Sequence, residues 1–307
     1  MGLCLRMRVV VLALILFIAA PCAAFAESAA ARPAPAAREA RFSHGLLWRV
    51  DAIGAKPSYL FGTIHTDDDR VLALPAEVQR ALYGAKVFVP EVLDDEASIH
   101  KFLAAMVTRE PQLPELLGEA DYARVDQLLG EHSIPNEVRP RFRPWAAMIT
   151  LLQPRGATGL VLDRVLLQDA RERGKRIEAL ETIEEQIEVF AGMAQDTQVR
   201  LLRDAVAHYP DIQDAVRPLV EAYLARDLDR MWQLNVEAMA GTGEARADND
   251  LLLRRVLYDR NERFAQRLGP LLRAGGVFAA FGALHLRGER GVLDLLQRRG
   301  FKVWRVY

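Results

Sequence analysis

Apolar residues along the chain follow two different periods, and the order in which these periods appear predicts an α/β protein. Short runs typical of β-strands lie at 46–50, 58–61 and 86–89, and again at 276–281 and 303–307. The run at 276–281 is apolar on both faces, which indicates a central strand buried between two layers. Strands therefore begin and end the folded region, and most residues between them follow the helical period.

The middle of the chain is mostly helical in pattern, and proline and glycine mark the ends of its helices. Residues 98–152 read as several short helices separated by prolines. Residues 158–173 form a longer amphipathic pattern, and residues 176–180 continue from it as a strand. Thr182 and Glu185 have the spacing of a capping box at the start of the next helix. Further helical patterns lie at 75–84, 201–240, 250–272 and 292–299.

The first 26 residues have the composition of an export signal rather than of a folded domain. Arg6 and Arg8 are followed by an unbroken apolar run at 9–20 and then by Ala24-Phe25-Ala26, an A-x-A cleavage site. The apolar run is shorter than the roughly 20 residues that a membrane-spanning helix needs. We therefore expect cleavage after Ala26, export to the periplasm, and no stable membrane span in the mature chain.

The rest of the chain divides into a linker and one domain. Residues 27–42 are rich in Ala and Pro with hardly any large apolar side chain, so we expect a disordered linker. Residues 43–307 are enough for one large hydrophobic core. Both cysteines, Cys4 and Cys22, lie in the signal, so the mature domain has no disulfide and no cysteine ligand. The formal net charge is −1 and no Lys/Arg stripe occurs, so we do not expect nucleic-acid binding.

Two segments far apart in the sequence repeat the same arrangement. Residues 59–65 (YLFGTIH) and 279–285 (AAFGALH) each place an apolar strand, a glycine and a histidine in the same order. Ligands of α/β proteins collect at the carboxyl ends of strands, where a glycine allows close approach of the backbone. We therefore expect His65 and His285 to reach one shared site, as metal ligands or as general bases.

Other polar residues near predicted strand ends are weaker candidates. Glu91 follows the third strand and would complete a set of two histidines and one carboxylate, unless it is an exposed loop acid. Arg260-Asn261 lies in a predicted helix, where a surface or salt-bridged pair is the ordinary interpretation. Glu181 most simply leads into the capped helix, although it could also face the pocket.

The chain resembles the TraB/GumN family, which also contains PrgY and the Tiki proteins, and it is most similar to the GumN-like bacterial branch. The resemblance rests on YLFGTIH, on Glu91, on residues 174–186 (GKRIEALETIEEQ), on Arg260-Asn261 and on residues 281–293 (FGALHLRGERGVL). It covers about 45–307. It implies a central mixed β-sheet flanked by helices, similar to erythromycin esterase, ChaN and Tiki, with a mostly helical middle insertion.

The resemblance also implies a site. In the Tiki branch the matching residues belong to a metal-dependent protease, so His65, Glu91 and His285 are expected as the metal-binding and catalytic set. Arg260 and Asn261 are expected beside them as polarising groups. Manganese or cobalt is the usual suggestion for the ion, and zinc is possible.

Three functional hypotheses follow. The first is a metal-dependent, peptidase-like hydrolase of the cell envelope, in which Arg260 stabilises an oxyanion and the substrate is a peptide or another envelope compound. The second is a periplasmic binding or regulatory protein that sequesters a peptide or saccharide without turnover. The third is hydrolysis without a metal, with a histidine as base.

Overall fold

The fold is built on one six-stranded mixed β-sheet. The computed structural model describes residues 40–156, 159–236 and 243–307, so the predicted signal peptide and most of the predicted linker lie outside the described residues. The strand order across the sheet is β4-β3-β5-β2-β1-β6. The strands are β1 (Leu47–Asp51), β2 (Ser58–Thr63), β3 (Val87–Pro90), β4 (Arg176–Ile177), β5 (Val277–Gly282) and β6 (Lys302–Arg305).

Four adjacent strands of this sheet run parallel, and the other two pair antiparallel at one side. β2, β5, β3 and β4 form the parallel part, and β1 joins β2 and β6 in antiparallel pairs. β5 lies between β2 and β3, and all six of its residues are buried. The predicted fold class, a central mixed sheet flanked by helices, is confirmed, as is the prediction of a buried central strand at 276–281.

Helices cover the sheet and fill the middle of the chain between β3 and β5. They are α1 (Asp69–Leu72), α2 (Ala76–Gly84), α3 (Glu96–Met106), α4 (Leu113–Leu117), α5 (Glu119–Glu131), α6 (Pro144–Leu151), α7 (Leu162–Glu172), α8 (Ile183–Ala191), α9 (Gln195–Ala207), α10 (Tyr209–Asp214), α11 (Val216–Leu224), α12 (Leu228–Asn235), α13 (Gly243–Leu253), α14 (Asp259–Ala274) and α15 (Val292–Arg298). Short 3-10 turns lie at Arg139–Arg141 and Ala283–Leu286, and a π-helical turn at Arg254–Tyr258 joins α13 to α14. None of the described helices is long and apolar enough to cross a membrane.

Some predicted boundaries were wrong. The strand expected at 176–180 is only Arg176–Ile177, although the backbone stays beside β3 as far as Glu181, whose N–H donates to Glu91 O at 2.7 Å. The helix expected at 158–173 begins at Leu162, after Val161 in an extended conformation. The helical pattern at 201–240 is divided among several helices; its residues 237–240 lie outside the described residues. The capping box of Thr182 and Glu185 is confirmed.

Aromatic packing joins the three central strands. Phe278 on β5 stacks on Phe88 of β3 at 6.2 Å between ring centroids, and it contacts Phe61 of β2 at 6.1 Å. Burying a phenylalanine side chain contributes about 1.5–3 kcal/mol, so these three rings hold the sheet together at the strands that carry the motifs. The relative positions of the strand ends follow from this packing.

The two motif segments also touch each other. A Cβ atom on Gly62 would lie only 2.8 Å from Ala283 Cα, a backbone atom that cannot move aside easily. Gly62 is therefore required by the close approach of β2 to the turn that follows β5. This contact holds the segments that carry His65 and His285 side by side.

Candidate functional site

Three predicted site residues lie at the same edge of the sheet. His65 follows β2, Glu91 follows β3 and His285 follows β5, and these three strands are adjacent and parallel. The register pairs Thr63 with Gly282 across β2 and β5. Because the carboxyl ends of parallel strands meet at one edge, the topology brings the three side chains to one region. The His285 Nε2 atom lies 3.9 Å from Glu91 Oε1.

Arg260 occupies the centre of this region. Its Nη2 donates to Glu91 Oε2 at 2.6 Å, and its Nε donates to Glu181 Oε1 at 2.8 Å. The side chain enters from α14 and is 2% exposed. The prediction of a salt-bridged pair is correct in its chemistry, but Arg260 is a buried residue and not a surface one. A guanidinium charge between two buried carboxylates is an arrangement that proteins tolerate only when each charge is paired.

The charge of Arg260 controls the electrostatics of its neighbours. Burial alone would lower the pKa of Arg260, but the charges of Glu181 and Glu91 outweigh burial and raise it. Its Nη1 also donates to Val256 O at 3.3 Å and faces His285 Nε2 at 3.4 Å. Arg260 is therefore a fixed positive charge that touches three of the ionisable side chains of the site.

His285 is held as a neutral imidazole. Its Nδ1 lies 2.5 Å from Asn261 Oδ1, and Asn261 Nδ2 donates to Arg290 O at 2.8 Å. The second bond fixes which end of the amide faces the ring, so His285 Nδ1 carries the proton and Nε2 has the free electron pair. Burial, with a further contribution from the charge of Arg260, lowers the pKa of His285 well below its ordinary value.

His65 has a different partner, which the sequence analysis missed. Its Nε2 lies 3.1 Å from Asp163 Oδ2, and Thr63 Oγ1 donates to Asp163 Oδ1 at 2.7 Å. Burial alone would lower the pKa of His65, but the charge of Asp163 outweighs it and the pKa is raised. The pKa of Asp163 is lowered, because contacts with His65 and Thr63 outweigh its burial. Within the described residues, the buried His65 Nδ1 has no hydrogen-bond partner.

Glu91 is buried and fully engaged, so the alternative of an exposed loop acid is wrong. Its side chain accepts from Arg260 through Oε2 and from the backbone N–H of Gly282 through Oε1, the latter at 2.7 Å. Gly282 is the glycine of the second motif, so β3 and β5 are joined by this bond at their carboxyl ends. Glu91 also lines the cleft described next.

A cleft of about 440 Å³ opens beside these residues. His65, Glu91, Asp163 and Gln186 line it together with Asp94 and Arg164. A second, larger hollow of about 740 Å³ adjoins it and shares Val92 with it. Glu181 lines this second hollow, whereas Glu91 lines the first, so the two carboxylates paired with Arg260 face different spaces.

The side chains of this region fit a metal in their chemistry, although they do not form a ready set of ligands. Each histidine has one ring nitrogen against an oxygen atom of a neighbour, which is how metal-binding histidines are usually oriented. His65 Nδ1 has no partner among the described residues, which suits a ligand atom. However, no group of three His, Cys, Asp or Glu in the described part of the chain is placed to hold an ion. The metal assignment of His65, Glu91 and His285 stays a prediction.

Two residues of the site were not among the predicted site residues. For Glu181 the interpretation as the residue that leads into the capped helix is correct, and so is the alternative that it faces a pocket; its place beside Glu91 follows from the short parallel pairing of β4 with β3. Asp163 lies in the first turn of α7, where an acid is ordinary because it favours the helix dipole. Only the three-dimensional approach of α7 to β2 distinguishes Asp163 from other first-turn acids.

The comparison with known proteins identifies the family. The profile of the TraB/PrgY/gumN family matches residues 46–305, nearly all of the described chain, and the protein belongs to this family. The resemblance expected from the motifs is thereby confirmed. No solved structure is significantly similar to the chain.

Curated relatives come from animals and carry protease names. The chain is 27% identical to Metalloprotease TIKI2 of Danio rerio over 299 residues, which are 80% of this chain and 58% of the relative. It is 25% identical to Metalloprotease TIKI1 of Homo sapiens over 85% of this chain and 61% of the relative. It is 24% identical to a Metalloprotease TIKI homolog of Amphimedon queenslandica, with the same coverages of 85% and 61%. The chain thus spans about 60% of the length of the relatives it matches.

Proposed function

We propose that this protein is a peptidase-like hydrolase of the bacterial cell envelope that depends on a divalent metal. The observation that carries the proposal is the buried cluster of Arg260, Glu91, Glu181 and His285, with His65 beside it, at the edge of the cleft. Burying so many charged groups costs free energy that an apolar core would not, and such clusters are concentrated at functional sites. The protease names of the TIKI relatives support peptide bonds as the substrate class.

His65, Glu91 and His285 would hold the ion, and manganese, cobalt or zinc would suit this mixed nitrogen and oxygen set. A divalent ion at this place would supply Lewis acidity and favour the ionisation of water. Glu91 and His285 now contact Arg260, so binding of the ion would require one of them to move away from the guanidinium.

The side chains themselves offer the remaining chemistry of hydrolysis. In that reaction a water oxygen adds to the carbonyl carbon, the carbon–nitrogen bond breaks, and the proton from the water ends on the leaving nitrogen. When no ion occupies Nδ1, His65, braced by Asp163, is the group beside the cleft that can take and return that proton; a His65 that holds the ion through Nδ1 would have no free ring nitrogen for this role. Arg260 would stabilise the oxyanion as a fixed positive charge, although Glu91 and Glu181 already engage it.

A second candidate is hydrolysis of the same bonds without a metal. It is favoured by the contact between His65 and Asp163, which supplies an oriented imidazole without any ion. Chelation of metals distinguishes the two candidates, because only the first loses activity.

The test is digestion of a peptide library by the purified full-length protein, with products identified by mass spectrometry. The metal-dependent proposal expects cleavage that a chelator abolishes and that manganese, cobalt or zinc restores. The His65→Ala variant should be inactive, and His100→Ala, which changes an exposed histidine, should match the wild type. Saturable peptide binding without any product after long incubation would contradict the proposal and favour a binding protein.

A further inference from the structure

Asp163 is placed to hold one edge of the His65 ring. Its Oδ2 lies 3.1 Å from His65 Nε2, and the ring is 6% exposed. The opposite orientation of the ring would turn a C–H group toward the carboxylate, so the contact selects Nε2 as the edge that faces Asp163. The contact is close but not aligned as a regular hydrogen bond, since Asp163 Oδ2 has no aligned donor among the described residues.

Asp163 is itself held in place by Thr63. The Thr63 hydroxyl donates to Asp163 Oδ1 at 2.7 Å, which leaves Oδ2 for the histidine. Thr63 is the last residue of β2, two positions before His65, and Asp163 lies on α7. The strand that carries the histidine therefore also orients the carboxylate that braces it.

The other edge of the ring has no such partner. His65 Nδ1 is buried, and it has no hydrogen-bond partner within 40–156, 159–236 and 243–307. A buried polar nitrogen without a partner costs free energy, so its persistence beside a cleft points to a ligand or substrate group that completes it. His65 also lines the 440 Å³ cleft.

From these contacts we infer that Asp163 is the positioning residue of His65. Because Asp163 engages Nε2, Nδ1 is the ring nitrogen that contacts a ligand or substrate group in the cleft. The inference rests on the proposed function, since it assigns the acting atom of the same site. Asp163 acts through His65, because it fixes the rotation of the ring and keeps Nε2 as the donor edge.

The test uses Asp163→Asn, which keeps the shape of the side chain. Thr63 holds the amide oxygen where Oδ1 was, so the amide NH₂ faces His65 Nε2 and moves the ring proton to Nδ1. We expect kcat for a cleaved peptide to fall about 10–100-fold with KM changed less than about twofold. Asp163→Glu, which keeps the charge, should recover part of the loss, and unchanged thermal unfolding would show that the variant is folded.

A second measurement does not depend on turnover. Nitrogen-15 spectra of the imidazoles, assigned with His65→Ala, should show Nε2 of His65 protonated in the wild type and Nδ1 protonated in Asp163→Asn. Wild-type proton placement in Asp163→Asn, or full kcat in that variant while His65→Ala is inactive, would overturn the inference but leave the proposed function standing. A wild type without any activity would overturn the proposed function, and the spectra would still decide the role of Asp163.

Discussion

The ends of β2 and β5 carry the same short motif but surround its histidine with opposite charges. His65 contacts the carboxylate of Asp163, and the pKa of its imidazole is raised despite burial. His285 contacts the neutral amide of Asn261 and the guanidinium of Arg260, and the pKa of its imidazole is lowered. Equal sequence spacing therefore does not mean equal chemistry. The partners contributed by α7 and α14 decide what each histidine can do.

The glycines of the two motifs also differ in what they do. Gly62 leaves room for Ala283, whereas Gly282 contributes its backbone N–H to Glu91. The first role needs the absence of a side chain, and the second needs only an N–H that any residue except proline supplies. The β2 segment is thus specialised for packing, and the β5 segment is tied to the charged cluster.

The largest loss of stability is expected when the positive charge of Arg260, beside His285, is removed. Arg260→Met would leave Glu91 and Glu181 buried without their partner and should destabilise the fold by about 3–5 kcal/mol, because an uncompensated buried charge is costly. The measurement is chemical unfolding at neutral pH. Arg263→Met is the matched control, since Arg263 reaches Glu181 at 3.3 Å from a partly exposed position and should cost far less. Equal effects of the two variants would contradict a central role for Arg260.

Asn261→Asp would make the surroundings of His285 resemble those of His65. A carboxylate at Nδ1 favours the imidazolium, so the pKa of His285 should rise towards its ordinary value. The measurement is an NMR titration of the ring signals of His285 in both proteins. If the pKa of His285 is the same in the variant and in the wild type, burial and the charge of Arg260 outweigh any partner at Nδ1.

Gly62→Ala tests the contact that holds the two segments together. The added Cβ would meet the backbone of Ala283 at 2.8 Å, so we expect a loss of about 1–3 kcal/mol from overpacking. Gly84→Ala is the control, because a Cβ atom added to Gly84 would have no neighbouring atom within 4 Å. The Tm of Gly62→Ala should be clearly lower than that of Gly84→Ala. A Gly62→Ala variant as stable as the wild type would mean that the two segments can separate without loss of stability.

The smallest effect concerns the start of α8, beside the Arg260 cluster. Thr182 caps this helix and Glu185 completes the capping box, so Thr182→Ala should cost about 1 kcal/mol, whereas Thr182→Ser should cost less. If Thr182→Ala is as stable as Thr182→Ser, the cap contributes nothing to the rigidity of the cluster.

Acid should remove the contribution of Glu185 to the same helix. Hydrogen bonds from Arg267 lower the pKa of Glu185 to about 2. The carboxylate therefore stabilises the fold fully above its ordinary pKa of 4.5 and loses this effect as the pH falls towards 2. The difference in stability between wild type and Glu185→Gln should shrink over that range. A difference that stays constant would contradict the assignment.

The sequence predicted the parts of the site that local patterns encode. The strand ends with His65 and His285 follow from apolar runs and glycines, and their meeting follows from the parallel pairing of β2 with β5. Asp163 could not be predicted, because its partner lies about one hundred residues away and its local position in a first helical turn is ordinary. The burial of Arg260 could not be predicted either, because its helix is rich in charged residues and its partners Glu91 and Glu181 are distant in the sequence.

The most direct test of the account is the rate of peptide cleavage by His65→Ala and His285→Ala beside wild type and His100→Ala. Substrates would be peptides cleaved by the wild type, and folding of each variant would be verified by thermal unfolding. We predict that kcat/KM falls at least about 100-fold in both motif variants and is unchanged in His100→Ala. Cleavage at the wild-type rate by folded His65→Ala would contradict the claim that the paired strand ends form the active site.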